Sequence, residues 1–313
     1  MAFAERFLLI ANPKAGAGRA GRNLGALQTA LSNAGATFDV QTTSSRGEAT
    51  TLVRKALADG VRGVGVVGGD GTLNEAINGF FDERGAALPT SAWFAPFPAG
   101  TGGDFCRSLR IPTKIEAMVA HITRANARPI DLGWAEYTLE NGEKEGRAFL
   151  NIASFGLSAV VDRAIESLPK QIGGRATYFV GALLGMTRYK PAPIAVSVDG
   201  EIERETEALT FAIANAEFFG GGMHIAPGAL IDDGLLDIVG LEHVSKLRSI
   251  AMSSAIYSGR ILSEPGITHR RARRFAARTL DPAVRIHVEM DGEAPGQLPA
   301  TFEVRPRALL LRA

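Results

Sequence analysis

Apolar and polar positions in the first third of the chain switch between two periods. Phe7 to Ile10 is a compact apolar run closed by Asn12-Pro13. Arg19 to Ala34 then carries Leu24, Leu27 and Leu31 at helical spacing, with Gly35 as its stop. Thr37 to Val40 reads as a second strand. Ala49 to Ala58 reads as a helix with Leu52, Ala56 and Leu57 on one face and Gly60 at its end. Val64 to Val67 is apolar throughout, as expected where both faces of a sheet are covered. Leu73 to Phe81 is the next helix, Trp93 to Ala95 a short strand. Thr113 and Glu116 have capping-box spacing ahead of a helix over Ile115 to Arg124. Strands alternating with helices predict a parallel sheet with right-handed crossovers.

Near residue 128 the rhythm changes. Ile194, Val196 and Val198 alternate with the smaller Ala195 and Ser197 and meet Asp199-Gly200. Val284, Ile286, Val288 and Met290 alternate with polar residues and meet Asp291-Gly292. Both are hairpin signatures. The second half therefore reads as mainly antiparallel β, with one helical stretch over Lys246 to Leu262. The expected class is α/β plus β, with domains over residues 1–128 and 129–304.

Composition narrows the function. Apolar residues are 46% of 313 and charged residues 21%, enough for two cores and against disorder. A net charge of +1 does not mark a nucleic-acid binder. Cys106 is the one cysteine, so no internal disulfide forms, which fits a reducing compartment. Met1 to Asn12 carries Glu5 and Arg6 and reads as a first strand rather than a signal peptide. Tyr178 to Met186, the longest membrane candidate, falls short of the roughly 20 residues a span needs. A soluble cytoplasmic protein is expected.

The chemistry centres on Val66-Val67-Gly68-Gly69-Asp70-Gly71-Thr72-Leu73-Asn74-Glu75. A buried strand runs through glycines and an acid into a helix, which makes a phosphate seat. Glycines admit the backbone close to an anion, and amides at a helix start point toward it. Asp70 suits such a place if a Mg²⁺ lies between it and the phosphates. The plain alternative is a tight strand-to-helix turn, for which three glycines are excessive. Gly63 to Gly68 fits G-x-G-x-x-G but lies inside a strand. Gly16 to Gly21 fits it between a strand and a helix, with Asp39 ending the next strand. That is a rival signal for a nicotinamide-dependent oxidoreductase, weakened by Asn12-Pro13-Lys14-Ala15 standing between strand and first glycine. Pro98-Ala99-Gly100-Thr101-Gly102-Gly103-Asp104-Phe105 is a second glycine loop after a strand. Loops at the carboxyl ends of parallel strands line one crevice, so residues 12–14, 43, 68–74 and 100–104 are expected to converge on a nucleotide.

Together these motifs resemble the diacylglycerol kinase and sphingosine kinase superfamily, most of all the soluble bacterial diacylglycerol kinase-like lipid kinases. Phe219-Gly220-Gly221-Gly222-Met223, Ala226-Pro227, Leu230 to Asp237 and Asp291-Gly292-Glu293 look like that family's second-half signatures. The resemblance implies a Rossmann-like three-layer α/β domain that binds ATP, a β-sandwich domain that takes the lipid, and a tail over about 305–313 returning to the first domain. It implies an ATP- and Mg²⁺-dependent kinase acting on a lipid hydroxyl of diacylglycerol, ceramide or a sphingoid base. Asn12, Thr43, Gly68, Gly69, Asp70, Gly71, Thr72, Leu73, Asn74, Thr101 and Asp104 would hold ATP. Glu293 would be the general base, with Asp70, Asp131 and Asp291 as further acids of the catalytic centre. The Leu230 and Leu235 carbonyls with the Asp233 carboxylate would hold a second, structural Mg²⁺. Gly103 stands where the family usually carries Asn, which motivates a second alternative: an inactive lipid- or nucleotide-binding regulator.

Other features have plainer readings. Asp199-Gly200-Glu201 repeats the Asp-Gly-Glu tripeptide, so the tripeptide alone names no catalyst. Asp232-Asp233-Gly234 is also an ordinary surface turn. His224 reads as a packed histidine and Cys106 as an inert thiol. Five scattered histidines argue against zinc. His269-Arg270-Arg271-Ala272-Arg273-Arg274, with Arg278, is either a solvated face or a contact for an anionic membrane, where each cation contributes about 1 kcal/mol. Tyr178 to Met186 is either core or the mouth of an acyl-chain cleft. A homodimer is left open, and no nucleic-acid partner is expected.

Overall fold

The computed structural model describes residues 6–99, 103–157, 189–242, 244–245, 248 and 251–313. Thr101, the stretch Tyr178 to Met186 and the start of the expected helix at Lys246 lie outside the described residues. The chain divides into two compact units, Met1–Ile130 with Arg307–Ala313, and Asp131–Pro306.

The first unit is α/β. Its elements are β1 (Phe7–Ala11), α1 (Ala15–Asn33), β2 (Phe38–Thr42), α2 (Glu48–Ala58), β3 (Gly63–Gly68), α3 (Asp70–Asn78), β4 (Trp93–Pro98), α4 (Asp104–Ser108) and α5 (Ile115–Arg124). The strands are parallel in the order β2-β1-β3-β4, and Leu310–Leu311 add a further parallel segment beside β4. Every residue of β1 and β3 is buried, which is why neither alternates in sequence. The expected capping box is absent. Lys114, not Thr113, occupies the N-cap of α5, with no side-chain cap bond. Gly16, Ala17 and Gly18, at φ 59°, 57° and 80°, are left-handed, so the right-handed part of α1 runs from Arg19, where its periodicity predicts. Two of those three left-handed residues are glycines, which meet that geometry without a steric penalty.

The second unit is β-rich. It holds most of β5 (Arg128–Thr138), then β6 (Lys144–Phe149), β7 (Ile152–Gly156), β8 (Pro193–Val198), β9 (Arg204–Ala214), β10 (Phe218–Phe219), β11 (Met223–His224), β12 (Leu236–Glu242), β13 (Ile267–Ala272), β14 (Arg274–Thr279), β15 (His287–Met290) and β16 (Glu293–Leu311) as far as Pro306. Antiparallel pairings run in a closed circuit, β9-β7-β15-β16-β14-β8 and back to β9. The described part of the expected Lys246–Leu262 helix is α6 (Ser253–Tyr257) and a 3₁₀ turn at Ile261–Ser263.

Side-chain alternation explains why the central strands are buried on both faces. Phe211 and Ile213 of β9 join Leu236 and Ile238 of β12 in one core, and Ala212 and Ala214 join Val239 and Leu241 in the other. Phe155, Phe211, Phe275 and Phe302 fill the first, their neighbouring rings 5.3–6.4 Å apart. Each such ring contributes about 1.5–3 kcal/mol by burial. Both expected turns form, with φ 48° and 78° at Asp199-Gly200 and 48° and 87° at Asp291-Gly292.

Glu242, buried at a bulge of β12, is a polar exception within this core. Burial would raise its carboxyl, but hydrogen bonds donated by Arg204, Thr206 and Thr268 outweigh that and hold it at about 2. A carboxyl depressed on folding adds stability that is full above its ordinary value of 4.5 and lost as pH falls through about 2. The stability gap between wild type and Glu242→Gln is therefore expected to narrow below pH 4.5, measured by urea unfolding across that window.

Candidate active site

Because β1 to β4 are parallel, Asn12, Thr43, Gly69 and Ala99 open the same edge of the sheet. The ladder runs on into them: Asn12 N–H donates to Val67 O at 3.0 Å, Thr43 N–H to Ala11 O at 2.9 Å, and Ala99 N–H to Gly68 O at 3.1 Å. The loops are also tied sideways. The Asn12 amide donates to the Thr72 hydroxyl at 3.1 Å and its carbonyl accepts from Lys14 N–H at 3.0 Å. A Cβ at Gly68 would lie 2.5 Å from the Thr72 side chain, so glycine there lets α3 start against the strand. The first turn of α3 has no side-chain cap, which leaves main-chain donors of the kind an anion accepts from.

Asp70 does something the sequence did not indicate. Its carboxylate accepts from Asp104 N–H at 3.1 Å and Phe105 N–H at 3.5 Å. The acid of the first glycine loop thus holds the start of α4, which follows the second. Asp104 is 2% exposed, and Arg107 approaches its carboxylate at 3.5 Å. Burial, then the charges of Asp70 and Asp104, push the Cys106 thiol well up, so it is no nucleophile. The nearest atoms a Cβ at Gly103 would meet, on Cys106 and Pro98, lie 3.5 Å or more away, and its φ is −76°. The missing Asn is therefore not a demand of the backbone.

Asp39 corrects the rival nicotinamide reading. It lies at the start of β2, not its end, where it pairs with Arg6 at 2.5 Å. It stands at the edge opposite the glycine loops, and Gly16 to Gly18 form a left-handed break rather than the tight turn of a dinucleotide fingerprint.

In the second unit the expected acids fall into two groups. Asp291 is 5% exposed, and its carboxylate accepts three main-chain amides, from Leu150 at 2.7 Å and from Asn151 and Ile152 at 3.0 Å. Glu289 braces the same hairpin, accepting Gly292 N–H at 2.5 Å and the Ser154 hydroxyl at 2.6 Å. Glu293, across the two-residue turn, receives Arg147 Nη1 at 2.7 Å. Beside it Tyr137 donates to Glu145 at 2.9 Å; burial and Glu145 raise the phenol, so it stays a donor. Glu201, the other Asp-Gly-Glu acid, is exposed and held by both Arg270 nitrogens at 2.7 Å.

Asp131 belongs with the Leu230 to Leu235 loop. It is 1% exposed, accepts Gly234 N–H at 2.6 Å and donates its own N–H to Ile231 O at 2.7 Å. In that loop Asp233 accepts Leu235 N–H at 3.0 Å and an Arg271 nitrogen. The basic run is largely neutralised by pairs: Arg270 with Glu201, Arg271 with Asp233, Arg274 with Glu303 and Arg278 with Glu203.

Four residues of this arrangement escaped sequence reasoning: Arg147, Glu289, Asn151 and Asn215. Asn215 donates to Asp131 O at 3.1 Å and Leu150 O at 2.9 Å, and Asn151 to Phe218 O at 2.7 Å. Glu289 had a legible signal, an acid between the apolar Val288 and Met290 of a short strand. Arg147 had none, because it sits in a polar run.

Comparison with known proteins follows the same division. Residues 6–135 match the diacylglycerol kinase catalytic domain, and residues 151–313 match the YegS C-terminal NAD kinase beta sandwich-like domain. The chain is 26% identical over 300 residues to a diacylglycerol kinase of Bacillus subtilis, spanning 95% of this chain and 93% of that one. It is 36% identical over 208 residues to a candidate YegS-like lipid kinase of Pseudomonas aeruginosa, 66% of this chain and 63% of that one. A solved structure of a candidate diacylglycerol kinase from Bacillus anthracis aligns with a TM-score of 0.76 at 27% identity, covering 100% of this chain and 96% of that one.

Proposed function

The chain belongs to the family of the YegS C-terminal NAD kinase beta sandwich-like domain, here preceded by a diacylglycerol kinase catalytic domain, and from that premise we propose that it is an ATP-dependent lipid kinase. It transfers the γ-phosphoryl group of ATP to a lipid hydroxyl, with diacylglycerol first among the substrates and ceramide or a sphingoid base as related ones. The observation that carries the reading is the tying of three loops at one sheet edge, by Asn12 to Thr72 and by Asp70 to the amide of Asp104. Phosphoryl transfer asks mainly for positioning and charge neutralisation, and a rigid glycine-rich edge serves both.

In this reading Asn12, Thr43 and Gly68 to Asn74 hold the nucleotide, with Thr101 and Asp104 from the second glycine loop. The carboxylates of Asp70 and Asp104, whose loops that main-chain hydrogen bond ties, are oxygen donors that suit Mg²⁺, which neutralises phosphate charge when bound. Glu293 orients the lipid hydroxyl and takes its proton. Asp291 and Asp131 act by holding their loops. The parallel strand order with intervening helices supports a Rossmann-like three-layer first domain, and the match to a beta sandwich-like domain supports a sandwich for the second. Incubating the protein with radiolabelled ATP and a total lipid extract tests the whole reading. One labelled lipid species is the expected result; a folded, nucleotide-binding protein that labels no lipid would sink it.

The enzyme meets its substrate at a membrane from the cytoplasmic side, touching anionic lipid through Arg270 to Arg278. Three of the acids that neutralise this cluster are exposed, so the triple change Glu201→Gln, Glu203→Gln, Glu303→Gln is expected to strengthen association with anionic vesicles. Added salt is expected to reverse the gain. Co-sedimentation that ignores both the triple change and salt would remove the cluster from the reading.

A further inference from the structure

We propose that Arg271 is the built-in cation of the Leu230 to Asp237 loop, so that this loop keeps its shape without a divalent metal. The inference does not depend on the kinase reading. It starts from strand register. Arg271 of β13 lies directly across from Asp237 of β12 in the antiparallel ladder, so its guanidinium is delivered to the loop that runs into β12. There it contacts the Asp233 carboxylate, and its Nε lies 3.8 Å from the Asp237 carboxylate.

The carboxylates in and beside the loop have further donors. Asp233 Oδ1 takes the Leu235 N–H at 3.0 Å, Asp131 Oδ2 takes the Gly234 N–H at 2.6 Å, and Asp237 Oδ1 faces His269 Nε2 at 2.6 Å. The metal set expected from the resemblance, the Leu230 and Leu235 carbonyls with the Asp233 carboxylate, contains one charged ligand, and that ligand is engaged by Arg271. A guanidinium already on that carboxylate repels a divalent ion at contact distance and so weakens the ion's binding there. Guanidinium geometry matches a carboxylate well and stays charged at every working pH.

Thermal unfolding of the nucleotide-free protein tests this, in excess Mg²⁺ and in EDTA, with Asp233→Asn as reference. A site filled at a hundredfold excess over its Kd would raise Tm by roughly 5–10 °C. For the wild type, the Mg²⁺ effect is expected to equal that of Asp233→Asn. Arg271→Ala is expected to melt lower and to regain part of the loss in Mg²⁺, as the vacated carboxylate takes the ion. Arg271→Lys should stay Mg²⁺-insensitive, because it keeps the charge. A wild-type Mg²⁺ response that disappears in Asp233→Asn would overturn the inference, and so would an Arg271→Ala protein with unchanged Tm and no Mg²⁺ response. If Arg271→Ala does not fold, the wild-type and Asp233→Asn comparison still decides.

Discussion

Glu293→Gln is expected to lower the rate of lipid phosphorylation by about 10²- to 10⁴-fold, the usual cost of losing a general base. The side chain keeps its size and hydrogen-bonding capacity and loses only the proton acceptor. Its position two residues past the start of a type I′ pair is rigid, because the turn is braced by Asp291 on one side and Glu289 on the other. Glu201→Gln is the internal control. It follows the same Asp-Gly pair, with the same left-handed backbone, but its carboxylate is exposed and paired to Arg270. An exposed change of this kind moves stability by about 0.5 kcal/mol or less and should leave turnover intact. ATP affinity should survive both substitutions, since neither residue belongs to the glycine loops. The measurement is lipid phosphorylation by both variants side by side, with melting curves to show both folded. Equal activities would reduce Glu293 to a turn residue partnered by Arg147.

Asp291→Ala is expected to destabilise the protein by about 3–5 kcal/mol, near the upper end for a single substitution. Three buried amides lose their acceptor together, and each unsatisfied donor costs about 1–3 kcal/mol, less than additively because they share one loop. Alanine also tolerates the residue's φ of 48° less well than aspartate does. Asp291→Asn keeps one carbonyl oxygen and the left-handed tolerance, so it should lose roughly half as much. Urea unfolding of the three proteins decides this. A loss below about 1 kcal/mol for Asp291→Ala would mean that the Leu150 to Ile152 amides find other acceptors once the carboxylate is gone.

These two residues also show where sequence reasoning stopped. The glycine-and-acid loop after β3 was legible because a strand, three glycines and a helix start within ten residues form one local unit. The reason for Asp70 was only partly legible. A carboxylate beside phosphates suggested a metal, whereas its main-chain partners belong to α4, 34 residues on. Thr113 and Glu116 had the spacing of a capping box without forming one, since spacing permits a cap and the entry path of the chain decides it. The basic run from His269 to Arg278 looked like an exposed cationic face. Its neutralising partners, Glu201, Glu203, Asp233 and Glu303, come from other strands and turns, and no window of sequence contains them.

Local periodicity and punctuation determined which half is α/β and which is β, where the glycine loops fall, and that both Asp-Gly pairs turn the chain. Those properties depend on φ/ψ preference and on burial repeating every two or 3.6 residues, and both act over short separations. Only the tertiary structure decided what separates the two Asp-Gly-Glu tripeptides. Asp199 accepts the amides of Arg273 and Arg274 at an exposed edge, while Asp291 accepts amides about 140 residues distant inside a buried hairpin. A carboxylate's environment is set by which strands register against it, and that register is fixed by the packing of the whole sheet.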